Sequence, residues 1–147
     1  MSEKASEPSE ASTRAWTSIM RARERLLAAI EADLKAAGMP PLAWYDVLWE
    51  LARAQDGRLR PYEIEERTLL AQYNLSRLID RLEREGLVRR EVFARDGRGR
   101  WVVITEAGRQ LRERIWAVYA GSIETHVGRK LAESEAKALA GLLDRFL

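Results

Sequence analysis

Residues 71–104 have the sequence AQYNLSRLIDRLEREGLVRREVFARDGRGRWVVI. Leucine or isoleucine at positions 75, 78, 79 and 82 follows the spacing of one helical face, and Gly86 is a typical helix end. The alternation through residues 87–93 predicts a strand, residues 96–100 a hairpin turn, and residues 101–104 the returning strand. A helix therefore leads directly into a strand pair whose turn carries arginines.

Upstream of this segment the pattern predicts three helices. Residues 14–37 are amphipathic, whereas residues 42–54 are apolar nearly all round and belong at the centre of a fold. A short extended piece, residues 58–60, precedes a brief helix over residues 61–68 that starts with proline.

Downstream, Thr105 predicts the N-cap of a long helix that Gly128 interrupts, and Ser134 predicts the cap of a last helix. The complete order is mainly α with a small β-wing, the order of a winged helix-turn-helix. In that architecture a recognition helix enters the major groove of DNA, where base edges are distinguishable. An arginine-bearing hairpin then reaches the adjacent minor groove.

The charge distribution agrees with a nucleic-acid partner better than the net charge of +2 does. Between Arg77 and Arg100 there are eight arginines and five acidic residues, so this window carries +3 and the remainder −1. Arginine suits bidentate contacts to phosphate or guanine, although a salt-bridged helix face has a similar composition.

At this point the chain resembles the MarR (multiple antibiotic resistance regulator) family. The resemblance rests on residues 74–88, on the Asp-x-Arg pattern of residues 96–100, and on Ile-Thr-Glu-Ala-Gly at residues 104–108. It implies a cytoplasmic transcription regulator, commonly a repressor, that a small aromatic or anionic ligand releases from DNA. It also implies a homodimer whose first and last helices intertwine, and these helices carry more apolar surface than a monomer needs.

The expected organisation is a single domain with three functional parts. Residues 1–13 form a disordered polar tail, residues 14–40 and 105–147 supply dimerisation helices, and residues 41–104 form the winged helix-turn-helix region. The polar start lacks the pattern of a signal peptide, and no apolar run approaches the roughly 20 residues of a membrane span. We therefore expect no membrane partner.

The candidate DNA-binding residues lie on the recognition helix and on the wing. Asn and Gln side chains pair with adenine and Arg with guanine, which favours DNA contact over an ordinary solvated face. Asp96 is expected to fix the wing, whereas Arg89 and Arg90 are equally compatible with phosphate contact and with strand surface. The recognition-helix candidates are Gln72, Tyr73, Asn74, Ser76 and Arg77, and the wing candidates are Arg98, Arg100 and Arg95.

The chain departs from the family pattern before the recognition helix. Thr68, Leu69 and Leu70 occupy a turn where many members have glycine, and Ala71 replaces a capping serine, which puts a phosphate contact from a cap hydroxyl in doubt.

Aromatic residues at helical spacing usually form core, yet Trp16, Tyr45 and Trp49 are the best candidates for a ligand pocket.

Other classes of protein find little support. The chain has no cysteine and one histidine, His126, so thiol catalysis is excluded, and neither a metal site nor a cofactor is expected. No glycine-rich phosphate loop or activated nucleophile indicates an enzyme. The alternatives are a winged-helix protein-interaction module and a non-specific architectural DNA-binding protein.

Overall fold

The computed structural model describes residues 5–92 and 99–147. Helices dominate these residues and one small antiparallel sheet accompanies them, which confirms the predicted fold class of mainly α with a small β-wing. In chain order the elements are α1 (Glu10–Ala36), α2 (Leu42–Arg53), β1 (Arg58–Leu59), α3 (Pro61–Arg67), α4 (Gln72–Arg84), β2 (Val88–Val92), β3 (Arg100–Ile104), α5 (Glu106–His126) and α6 (Glu133–Leu143).

Helices α1 and α6 both begin earlier in the chain than the sequence pattern predicts. Helix α1 starts at Glu10 because the Ser9 hydroxyl accepts a hydrogen bond from the Ser12 amide at 3.0 Å, so the predicted tail over residues 1–13 was too long. Helix α6 starts at Glu133, and Ser134 is not its cap. Here the Ala132 amide donates to the Glu135 carboxylate at 2.9 Å instead.

The sheet has the strand order β1-β3-β2, with β3 in the middle. Val88 lies opposite Ile104 and Val92 lies opposite Arg100, so β2 and β3 form the two arms of the predicted wing. Thr105 caps α5 as predicted, because its hydroxyl accepts a hydrogen bond from the Gly108 amide at 3.1 Å. A side chain at Gly108 would collide with the Leu87 carbonyl, which explains glycine at the start of α5.

Two apolar cores meet along α2 and α5. One core lies between α2, α3, α4 and the sheet, and includes the fully buried Leu48, Ile64 and Leu82. The other lies between α1, α2 and α5, and includes Leu34 and Ile115. The winged lobe is therefore packed independently of α1, and α2 joins it to the long helices.

Within the described residues, no helix is long and apolar enough to cross a membrane. The same part of the chain holds no group of three or more His, Asp or Glu side chains arranged to bind a metal ion.

Candidate nucleic-acid interface

Helix α4 has one face in the core and one face in solvent. Its apolar residues Leu75, Ile79 and Leu82 are at most 3% exposed, which fixes the rotation of the helix about its axis. The predicted contact residues lie on the opposite side or on the first turns, and their side chains are exposed: Gln72, Asn74, Ser76 and Arg77. Tyr73 lies in the first turn of α4, and its side chain is outside the described part of the structure.

The turn that leads into α4 offers backbone groups rather than hydroxyls. Thr68 donates its hydroxyl to the Ile64 carbonyl at 2.8 Å, and the N-cap residue Ala71 has no side chain that can cap the helix. Leu70 packs against the core, whereas Leu69 is 91% exposed. The first amides of α4 therefore point out of the helix without a capping side chain, at the end where the helix dipole favours anions.

Arg90 braces the wing against α4. Its guanidinium lies 2.7 Å from the Asp80 carboxylate and 2.7 Å from that of Glu83, and its amide also donates to Glu83 at 3.1 Å. Arg89, by contrast, pairs with Glu91 on its own strand at 2.8 Å. Of the two interpretations left open for these arginines, the contacts of Arg90 favour a structural role between sheet and helix.

The wing tip holds residues that the sequence predicts for DNA contact and for wing structure. Arg95, Asp96 and Arg98 lie outside the described residues, so their assignment to DNA contact and wing structure stays a prediction. Arg100 is the first residue of β3, exposed and opposite Val92. Arg100 therefore lies at the end of the strand pair next to residues 93–98, on the same lobe as α4.

Solved structures with this fold are known. The chain is similar to Sco3205 of Streptomyces coelicolor, a MarR family transcriptional regulator solved in complex with DNA (TM-score 0.87, 24% identity, 98% of this chain and 90% of that one). It is also similar to Sco5413 of the same organism, another MarR family transcriptional regulator (0.79, 27%, 94% of each chain). A third similar structure is BpsR of Bordetella bronchiseptica (0.80, 22%, 95% and 97%). The DNA binding of BpsR is regulated by 6-hydroxynicotinic acid.

The sequence itself matches the MarR family model over residues 37–99, from the end of α1 into the wing. The predicted resemblance to the MarR family is thereby confirmed over this segment, which covers less than half of the chain. Along most of the chain the fold is that of solved MarR family transcriptional regulators. That family and fold are those of regulators rather than enzymes. A comparison with curated proteins finds no significant match.

An aromatic cluster occupies the junction of α2 and α5. The rings of Tyr45 and Trp49 stack with centroids 6.4 Å apart, and Trp116 and Tyr119 lie 6.0 and 5.1 Å from Tyr45. Two guanidinium groups lie over Trp49, from Arg53 at 5.9 Å and from Arg112 at 5.6 Å. An opening of about 210 Å³ beside this cluster is lined by Trp49, Ala52, Arg53, Arg109, Arg112 and Glu113.

Trp16 does not join this cluster within one chain. It is 63% exposed and lines a separate apolar groove of about 550 Å³ between the start of α1 and the C-terminal residues, which include Leu143, Phe146 and Leu147. Of the three predicted pocket residues, the fold brings together Tyr45 and Trp49 and places Trp16 elsewhere.

Carboxylates also lie close to these rings. Burial, with Glu31 and Glu50 nearby, raises the pKa of Asp46 to about 6. Burial also raises the pKa of Tyr45, which the Arg112 guanidinium only partly opposes, and that of Tyr119, where the Asp46 charge adds to the effect. The tyrosines therefore remain neutral hydrogen-bonding groups at physiological pH.

Sequence reasoning missed the cationic part of this cluster. Arg53 follows Trp49 by four residues, a spacing that places both on one side of α2 and was available as a signal. Arg112 approaches from α5, more than fifty residues away, and only the packing of α2 on α5 reveals it.

Proposed function

We propose that this chain regulates transcription by binding a pseudo-palindromic operator as a homodimer, with half-sites about 10 base pairs apart, centre to centre. In this proposal it represses a promoter by occluding it, and a small aromatic anion releases it. The observation that carries the proposal is the first half of α4, whose polar side chains face solvent while its apolar face is locked in the core.

The chemistry of that face suits base recognition. Gln72 and Asn74 each offer an adjacent donor and acceptor, the pair that adenine presents in the major groove, and Arg77 has the fork that matches guanine. Arg95 and Arg98 at the wing tip and Arg100 at the adjoining end of β3 would contact the minor groove or its phosphates, with Asp96 fixing the loop. The uncapped amides that begin α4 would supply a phosphate contact in place of a cap hydroxyl.

An apolar surface on the terminal elements supports the homodimer. Trp16, Phe146 and Leu147 are each more than 60% exposed in the single chain, and they share one groove with Ile19 and Leu143. Contiguous apolar surface of this kind marks an interaction site in a folded protein. A second copy would bury it, because a two-fold interface presents the same apolar patch from both subunits.

The cluster at α2 and α5 supports an aromatic anion as the effector. Trp49 offers a ring that is 39% exposed, and Arg53, Arg109 and Arg112 surround the adjacent opening. A planar carboxylate would stack on the ring and pair with a guanidinium. Because α2 belongs to both cores, a ligand here would alter how the winged lobe sits on the long helices.

The test is fluorescence anisotropy of the purified protein on its own upstream intergenic DNA and on a shuffled duplex, at two salt concentrations. We expect a specific affinity of roughly 10⁻⁸ to 10⁻¹¹ M and much weaker binding to the shuffled duplex. Sedimentation of the complex should give two chains for each duplex. Equal binding to both duplexes would indicate an architectural protein, and no binding to either would indicate a protein-interaction module.

A further inference from the structure

Strands β1 and β3 hold two arginines against one tryptophan. The guanidinium carbon of Arg58 lies 4.6 Å from the ring centroid of Trp101, and that of Arg60 lies 5.1 Å from it. Arg58 pairs with Val103 and Leu59 with Val102 in the β1–β3 ladder. Because Leu59 is only 4% exposed, its neighbours Arg58 and Arg60 lie on the opposite, outer side of the strand. We call this group, Arg58, Arg60 and Trp101, the arginine–tryptophan cluster.

The cluster has the chemistry of a phosphate contact. A guanidinium stacked on an aromatic ring is held in place while its N–H edge remains able to form paired hydrogen bonds with an anion. Two guanidinium groups on the same ring also repel each other, and a bound anion relieves that repulsion. Neither strand nor ring needs to move for this contact to form.

The charges of the cluster and of the recess beside it sum to a small positive value. A recess of about 340 Å³ is lined by Arg58, Arg67, Asp56 and Glu63, among others. Glu63 lies 3.9 Å from Arg67 and also accepts the Arg60 amide at 3.0 Å, so its charge is engaged locally. The recess itself is lined by two arginines and two acidic residues, and Arg60 of the cluster adds one further positive charge.

The position of the cluster connects it to the proposed DNA-binding surface. Trp101 follows Arg100 near the outer end of the β2–β3 strand pair, and Arg60 is the N-cap of α3, the first helix of the helix-turn-helix. In helix-turn-helix proteins the first helix crosses the DNA backbone while the second enters the groove. The cluster therefore lies between the two elements that approach phosphates.

We propose that the arginine–tryptophan cluster binds the phosphate backbone of duplex DNA beside the wing, with Trp101 positioning Arg58. This inference rests on the proposed function and adds a contact that carries no sequence information. Its signature is therefore electrostatic, since each phosphate neutralised contributes about 0.9 to the slope of log affinity against log salt.

The test measures that slope by anisotropy from roughly 0.05 to 0.2 M salt, on the operator duplex and on a shuffled duplex. Arg58→Ala should lower the slope by about 1 on both duplexes and weaken binding about fivefold near 0.15 M salt. Arg58→Lys keeps the charge and should keep most of the slope. Arg25→Ala, which removes an exposed arginine from α1, is the matched control for net charge.

The outcomes separate this inference from the proposed function. If the wild-type protein binds DNA selectively and Arg58→Ala leaves the slope unchanged, the phosphate contact is wrong and the regulator stands. A lower melting temperature for Arg58→Ala with an unchanged slope would likewise assign the cluster to stability alone. If the wild-type protein binds neither duplex, both proposals are overturned.

Discussion

The carboxylate of Asp33 on α1 lies 2.8 Å from the Nε2 atom of His126 on α5. The same oxygen accepts the hydroxyl of Ser122 at 2.6 Å, and Ser122 is 4% exposed. One carboxylate thus joins two successive turns of α5 to α1, beyond the apolar core that holds these helices together. The Ser122 hydrogen bond, with that of His126 and its charge, lowers the pKa of Asp33 below its ordinary value of 3.8.

The Asp33 contacts should stabilise the fold only while Asp33 is ionised. Because its pKa is lower in the folded chain than in the unfolded chain, the contribution is fully present above about pH 4 and is lost as the pH falls through the folded value. Asp33→Asn should therefore be less stable than wild type at pH 7, and the difference should shrink toward pH 3. Thermal unfolding of both proteins across this range measures it.

Asp56→Asn provides the control for this prediction. Asp56 lies in a tight turn with a φ of 59°, a conformation that asparagine also adopts, and within the described residues its side chain makes no hydrogen bond to α5. A difference between wild type and Asp33→Asn that stays constant from pH 7 to pH 3 would contradict the role given to the Asp33 charge.

Arg90 should contribute more to folding than its neighbour Arg89. Arg90 joins β2 to two carboxylates of α4, and its side chain is 22% exposed. Arg90→Ala should lower the free energy of unfolding by about 1 kcal/mol, a value reduced for the solvent exposure of Asp80 and Glu83. Arg89→Ala removes only a pair within one exposed strand and should cost less than about 0.5 kcal/mol.

Urea unfolding of the two variants at neutral pH measures both values. Equal losses would mean that Arg90 does not hold the wing on α4. A second consequence concerns DNA: if the brace positions the wing, Arg90→Ala should weaken binding to all sequences alike, without a change in which sequence is preferred.

Much of the fold followed from local sequence pattern. The apolar spacing at Leu75, Ile79 and Leu82 and the cap at Thr105 each reflect physics that operates within a few residues. The starts of α1 and α6 were predicted less accurately. Ser9 and the Glu135 carboxylate determine those starts, whereas Ser134, which its residue type favoured as a cap, does not cap α6.

The residues of the site were predictable only where they share one helix. The contact residues of α4 share one helix, so their common exposure followed from the core pattern of that helix. The approach of Arg112 to Trp49, of Asp33 to Ser122 and of Arg58 to Trp101 depends on how distant elements pack. No spacing along the chain encodes such contacts. Trp16 lies apart from Tyr45 and Trp49 within one chain, so its assignment to a ligand pocket stays a prediction.

Gln72 should read a base rather than only contact the backbone. Its side chain is exposed on the first turn of α4, where a recognition helix meets base edges. Gln72→Ala should reduce operator affinity by about 1–3 kcal/mol and leave binding to a shuffled duplex unchanged. Gln110→Ala, which alters an exposed glutamine on α5, is the matched control, and both are measured by anisotropy. Equal losses on operator and shuffled DNA would show a backbone contact instead.

Arg112 should hold the charge of an aromatic effector. Its guanidinium lies 5.6 Å from the Trp49 ring centroid. It also lies 4.0 Å from the exposed carboxylate of Glu113, which is a long distance for an ion pair, so an incoming carboxylate can replace Glu113. Benzoate should quench the tryptophan fluorescence of the wild-type protein and weaken its operator binding. Arg112→Gln should raise the Kd for benzoate tenfold or more, since a hydrogen bond to a charged group contributes about 1.5–3 kcal/mol. DNA affinity without benzoate should not change.

Arg114→Gln tests whether that loss is specific. Arg114 is exposed two residues further along α5, about 200° around the helix from Arg112, so it removes the same charge from the same helix while facing away from Trp49. It should bind benzoate as the wild type does. If both variants lose benzoate equally, the effect is one of overall charge. If Arg112→Gln binds benzoate normally while the wild type is still released from DNA, the effector site lies elsewhere on the protein.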